Sequence, residues 1–67
     1  ASEDAAQVLE ELVVADLLAR GLANPAIAAR LGLSTKTVAN YVSAILLKLA
    51  ASDRADAARI IRDHLSS

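Results

Sequence analysis

The sequence predicts an all-α domain of four short helices, and three observations carry that prediction. More than half of the 67 residues are hydrophobic, 55%, and these are almost all Ala, Leu, Val and Ile, with Tyr41 the one aromatic residue. Ala and Leu are the strongest helix formers, and the β-branched residues are scattered rather than gathered into strand-like runs. Two Gly and one Pro leave little turn chemistry for a β-rich fold. Finally, apolar residues recur at helical spacing in segments separated by Gly21, Asn24-Pro25, Gly32-Leu33-Ser34 and Ser52-Asp53.

The first helix is expected to start between residues 3 and 8. Ser2 reads as its cap, with Glu3 and Asp4 in the first turn. Ala5, Val8, Leu9, Leu12, Val13, Leu17 and Leu18 carry its apolar periodicity up to Gly21, a residue suited to a left-handed helix end. Asn24 then reads as a cap and Pro25 as a first helical residue, where its missing N–H sacrifices no bond. This second helix reaches about Leu31 and stops at Gly32. Ser34 caps a third helix from Thr35, with Val38, Val42, Ile45, Leu46 and Leu49 on one face. Ser52 or Asp53 caps a fourth helix, striped by Ala57, Ala58, Ile61 and Leu65. A chain this short forms a single domain, residues 1–67, with residues 1–7 an N-terminal extension or linker.

Charge is unevenly spread. The formal net charge is -1, which by itself argues against a polyanionic partner. Residues 1–16 contain Glu3, Asp4, Glu10, Glu11 and Asp16 and no basic residue. Residues 17–52 contain Arg20, Arg30, Lys36 and Lys48 and no acidic one. A polyanion responds to the local field rather than the sum. Acidic residues also favour the first turns of any helix, which accounts for part of the asymmetry.

Enzymatic function classes are excluded at the level of residues. There is no cysteine, the single histidine His64 lacks a second ligand, and no carboxylate pair has a recognisable catalytic spacing. No cofactor, metal or small-molecule ligand is implied. The apolar runs are too short to span a bilayer, so a soluble cytoplasmic domain is expected. The absence of an initial Met suggests a trimmed chain or a piece of a longer one.

Residues 24–50 have the grammar of a helix-turn-helix. Ala28 is small enough for two helices to cross closely, and Gly32 supplies a turn residue four positions later. Ile27, Leu31, Leu33, Val38 and Val42 furnish the inner faces. The outer face of the third helix, Lys36, Thr37, Ala39, Asn40 and Ser43, is then free to enter a major groove. Small-residue, Gly and Val spacings of this kind also arise in ordinary Ala-rich helical proteins.

The run from Leu17 to Val38, including Asn24-Pro25-Ala26-Ile27-Ala28-Ala29-Arg30-Leu31-Gly32-Leu33-Ser34-Thr35-Lys36-Thr37-Val38, closely resembles the LuxR/FixJ (NarL-type) helix-turn-helix family. So does Asn40-Tyr41-Val42-Ser43-Ala44-Ile45-Leu46-Leu47-Lys48-Leu49, and Arg54 and Ala57 match that family's fourth helix. The resemblance covers roughly residues 8–65. It implies a four-helix, LuxR C-terminal effector-like, DNA-binding domain of a response regulator or quorum-sensing regulator, dimerising on DNA through its last helix, about residues 53–65. Transcription activation would be compatible with RNA polymerase contacts, which no residue here identifies. Several positions depart from the pattern. Of the usual Leu-Thr-x-Arg-Glu element only Glu11 is present in Gln7-Val8-Leu9-Glu10-Glu11, and a second Glu of that helix is Val13. A Lys-Glu pair after Asn24 is replaced by Pro25-Ala26, and two commonly basic positions are Ala39 and Leu47. Ala39 removes a DNA contact, so weaker binding or altered sequence preference is expected.

The expected DNA-binding residues are Ser34, Thr35, Lys36, Thr37, Ala39, Asn40, Tyr41, Ser43 and Lys48. Lys36 sits where a cation opposes the helix dipole, which points to a phosphate or base contact against the plainer reading of a solvated lysine. Thr35 and Thr37 can donate to phosphate, although Thr35 can equally serve the cap. Asn40 offers the donor and acceptor that pair with an adenine edge, and Ser43 follows one turn on. Tyr41 can reach phosphate or pack on helix one, and Lys48 can reach the groove edge or serve as an ordinary C-terminal lysine. Arg54 is expected to form a salt bridge to Glu11 or a neighbouring carboxylate. Arg54, Ala57, Ala58, Ile61 and Leu65 are the expected dimerisation residues, with Ala57, Ala58 and Ile61 equally able to join the core. Leu47, if exposed, is an incidental apolar residue or a contact with another chain. The rival reading, motivated by Ala39, Leu47 and the acidic first helix, is a helical dimerisation or protein-interaction module that has lost DNA binding.

Overall fold

The computed structural model describes residues 2–66, and side chains for residues 5–66. Four helices follow one another: α1 (Ser2–Ala19), α2 (Asn24–Leu31), α3 (Thr35–Leu49) and α4 (Arg54–Ser66). α1 packs on α3 and α4, and α2 packs on α3. The expected N-terminal extension is continuous with α1 from Ser2 onward, while capping by Ser2 with Glu3 and Asp4 falls outside the described side chains. No helix among the described residues is long and apolar enough to cross a membrane.

The core is centred on Val14 and Leu18 of α1, Ile27 of α2 and Val38 of α3, all essentially sealed from solvent. Leu17, Ala28, Val42, Ile45 and Ala57 complete it. The apolar face of α3 therefore forms as its periodicity predicts. α1 differs. Val8, Leu9, Leu12 and Val13, which contribute to its periodicity, lie exposed, and Val14 is the residue that is fully buried. α1 is apolar on nearly every side, so spacing alone cannot select the face that meets the core.

α1, α2 and α3 close in the same way. The Leu22 N–H donates to the Leu17 carbonyl, the Leu33 N–H to Ala28 and the Ala51 N–H to Leu46, each about one turn and a half back. In each, the residue just before the donor is left-handed: Gly21 at φ 91°, Gly32 at φ 69° and Ala50 at φ 53°. Leu22, Leu33 and Ala51 then fold back onto the core, the apolar contact that accompanies this helix ending. Two of the three positions carry the residue without a Cβ penalty; Ala50 does not.

The helix starts are less uniform. Ser34 caps α3 as expected, its Oγ accepting the Thr37 N–H at 3.1 Å. Asn24 does not cap α2. Ala23 holds the cap position without a side-chain bond, and Asn24 is the first helical residue, leaving its amide available elsewhere. Asp53 caps α4 by accepting the Asp56 N–H at 2.8 Å. The Asp56 carboxylate reaches back to the Ser52 N–H at 3.0 Å, a near relative of the reciprocal capping box.

Two predictions follow from these ends. Ala50→Gly relieves about 1–2 kcal/mol of left-handed strain and loses about 0.4–1 kcal/mol through a freer unfolded chain. The net gain, about 0.5–1 kcal/mol, raises the thermal midpoint by a few degrees in a calorimetric scan. The Ser52 N–H, together with the Arg59 guanidinium, holds the Asp56 carboxyl below its ordinary value of 3.8. Its contribution to stability is thus complete above that value and is lost as pH falls through the lower folded-state value. Thermal midpoints measured from pH 6 downward should therefore fall less steeply below about pH 4 in Asp56→Asn than in the native chain.

Candidate nucleic-acid interface

α3 presents two opposed faces. Val38, Val42 and Ile45 are buried, whereas Lys36, Asn40, Ser43 and Leu47 are exposed. At 3.6 residues per turn those four exposed positions fall within about 60° of one another, a single stripe along the helix. Thr35 and Ser34 are exposed at its start, and Thr37 and Ala39 flank it half-buried. The Ser34 hydroxyl donates to Thr37 Oγ1 at 2.8 Å while its oxygen accepts the Thr37 N–H, so the two side chains are held together at the entry to α3. The amides of Thr35 and Lys36 have no acceptor within the helix and mark its positive end.

Electrostatics separate this stripe from the rest of the surface. Neither α2 nor α3 has an acidic residue in its first turn. On α1, Asp16 pairs with Arg20 at 3.2 Å, Glu11 with Lys48 at 2.6 Å, and Glu10 accepts a hydrogen bond from the Tyr41 hydroxyl. Arg59 is shared between Asp56 and Asp63. Arg62 donates to the Ala19 carbonyl at 3.1 Å. Among the described lysines and arginines, only Arg30 and Lys36 have neither an ion pair nor a hydrogen bond. The unengaged positive charge thus sits on α2 and α3.

Several of the expected site residues have partners within the chain. The Lys48 ammonium is drawn to Glu11, whose side chain is only 11% exposed. A carboxylate so far removed from water needs a cation, and Lys48 on the neighbouring helix provides it. The Tyr41 hydroxyl donates to Glu10. Arg54 makes no salt bridge to Glu11. Its guanidinium fork donates to Asn24 Oδ1 at 2.7 Å and to the Leu22 carbonyl at 2.6 Å, tying the start of α4 to the α1–α2 turn. Planar guanidinium suits two acceptors presented side by side. Arg54 is half-buried in this contact, and Ala57 and Ala58 are buried within the protomer. Ile61 packs half-buried against the core, and Leu65 is 67% exposed. The Glu10–Tyr41 and Glu11–Lys48 contacts join residues more than thirty positions apart, where no local spacing rule reaches; Arg30 was legible only as a cation in the acid-free middle.

The comparisons with known proteins agree with this geometry. A family model described as bacterial regulatory proteins, luxR family, matches residues 9–61, from the second turns of α1 into α4. No curated protein matches the chain.

Tyr41 reports directly on the α1–α3 contact, being the one tyrosine in the sequence. Acceptance by the Glu10 carboxylate raises its pKa above the ordinary 10.0, with a smaller part from desolvation. This stabilisation therefore holds below pH 10 and fades as pH rises through the folded-state value. A phenolate absorbance titration should give a pKa above 10.0, and Glu10→Gln should bring it back toward that value; an unchanged titration in the variant would separate the two residues.

Proposed function

The chain belongs to the luxR family of bacterial regulatory proteins, a family of DNA-binding transcription regulators, and we propose that it binds specific duplex sequences by seating α3 in the major groove. The observation carrying this reading is the exposed Lys36–Asn40–Ser43 stripe set directly opposite the buried Val38–Val42–Ile45 face. Lys36 supplies phosphate attraction near the positive end of α3, with Thr35 and Thr37 hydroxyls beside it. Asn40 matches the donor and acceptor of an adenine edge, and Ser43 accepts either partner. Ser34 serves mainly to hold the helix entry in register. In this reading the chain is the effector domain of a larger regulator of the two-component response-regulator type.

Binding as a homodimer on paired half-sites, spaced by about 10 base pairs or a multiple, fits the small number of unengaged cations. A single protomer makes few phosphate contacts, and a second doubles them. The surface supporting such a pair is the outer edge of α4 with α1, where Leu65 faces Val8 and Leu12 across a groove of about 480 Å³. The exposed Val8, Leu9, Leu12 and Val13 also favour the second reading, a protein-interaction module without DNA binding.

Affinity for duplex DNA measured against salt separates the two readings. Each phosphate contact contributes a slope of about -0.9 in log K against log salt. Lys36→Gln should make the slope shallower by about 0.9 per protomer, weakening all sequences alike. Asn40→Ala should instead relax discrimination at one base pair, by about 1–3 kcal/mol. A flat salt response with the native chain would favour the interaction module.

A further inference from the structure

Leu47 is the most exposed large apolar side chain described, at 83%. Its position is as informative as its exposure. It does not line the α1–α4 groove, which takes Lys48 and Leu49 from this end of α3. It stands instead on the stripe of Lys36, Asn40 and Ser43, eleven residues beyond Lys36 and so about 16 Å along the helix axis. The adjacent cation, Lys48, is turned away to Glu11. The far end of the stripe is therefore apolar and carries no free charge.

A major groove offers such a side chain one apolar feature that distinguishes bases, the C5 methyl group of thymine. We propose that Leu47 is a specificity-determining residue that reads a thymine methyl at the edge of the site contacted by Asn40 and Ser43. The inference rests on the DNA-binding reading and deepens it. A leucine there gives up no hydrogen bond, because the polar discrimination is supplied by Asn40 and Ser43 earlier on α3. Burial of a methyl against it favours thymine over both cytosine and uracil. A lysine at this position would gain phosphate attraction and lose that preference.

The test isolates the methyl group. The highest-affinity duplex selected from a random library is remade with deoxyuridine replacing one thymine at a time, which removes the methyl and leaves base pairing intact. With the native chain, one replacement should weaken binding about fourfold, the equivalent of about 0.8 kcal/mol for one buried methyl. Leu47→Ala, at a solvent-exposed helical position, keeps the fold by circular dichroism and should bind both duplexes equally. Leu47→Lys should abolish the preference and steepen the salt slope by about 0.9 per protomer. Equal binding of thymine and deoxyuridine duplexes at every position by the native chain, or a preference persisting in Leu47→Ala, would overturn the inference while leaving DNA binding standing. No affinity for any duplex would overturn both.

Discussion

The burial of Val38 against Val14, Leu18 and Ile27 decides the orientation of everything else. These four side chains come from three helices, and removing any from the centre leaves a void that a chain this small has little reserve to absorb. Once Val38 points inward, Val42 and Ile45 follow it one and two turns on, and the opposite side of α3 must face solvent. The geometry that permits a groove contact is therefore a consequence of core packing. Gly32 makes the arrangement possible, since its left-handed turn aims α3 away from α2 within three residues.

Polar contacts refine the packing and divide the charges between structural and available ones. The Arg20–Asp16 pair and the Arg59 pairs with Asp56 and Asp63 lie at the surface, where solvent screening leaves them little net weight in the fold. Glu11–Lys48 is different in kind, because the carboxylate is nearly out of water and would be costly without its partner. Arg54, bridging α4 to the Leu22–Asn24 turn, and Arg62, satisfying the last turn of α1, act on acceptors that a helix end would otherwise leave to solvent. The contacts between helices hold Lys48, Arg54 and Arg62 to acceptors within the chain. Net charge is therefore a poor guide to where unengaged charge lies, which among the described lysines and arginines is at Arg30 on α2 and Lys36 on α3.

The structure also has features that a stability argument alone would not select. Ala50 occupies a backbone region that favours glycine, held there by the Ala51 N–H bond to Leu46 and by Ala51 packing on the core. α1 keeps Val8, Leu9, Leu12 and Val13 in water. Together with Leu65 these give α1 and α4 an outward surface distinct from the stripe on α3.

The sequence by itself determined the four helices, the Gly21 and Gly32 ends, the Ser34 cap and the inward face of α3. Those depend on local chemistry: a 3.6-residue period, a side-chain oxygen beside a free amide, a residue without a Cβ. With them came the outward placement of Lys36, Asn40 and Ser43, since one face of a helix is the complement of the other. Only tertiary structure decided the partners of Lys48, Tyr41 and Arg54, the assignment of Ala57 and Ala58 to the core, and the choice of Val14 over its apolar neighbours on α1. Each turns on which side chains distant in sequence meet in space. Where a helix is apolar on every side, or a long cation has several acceptors within reach, local pattern leaves the options nearly equal and packing chooses among them.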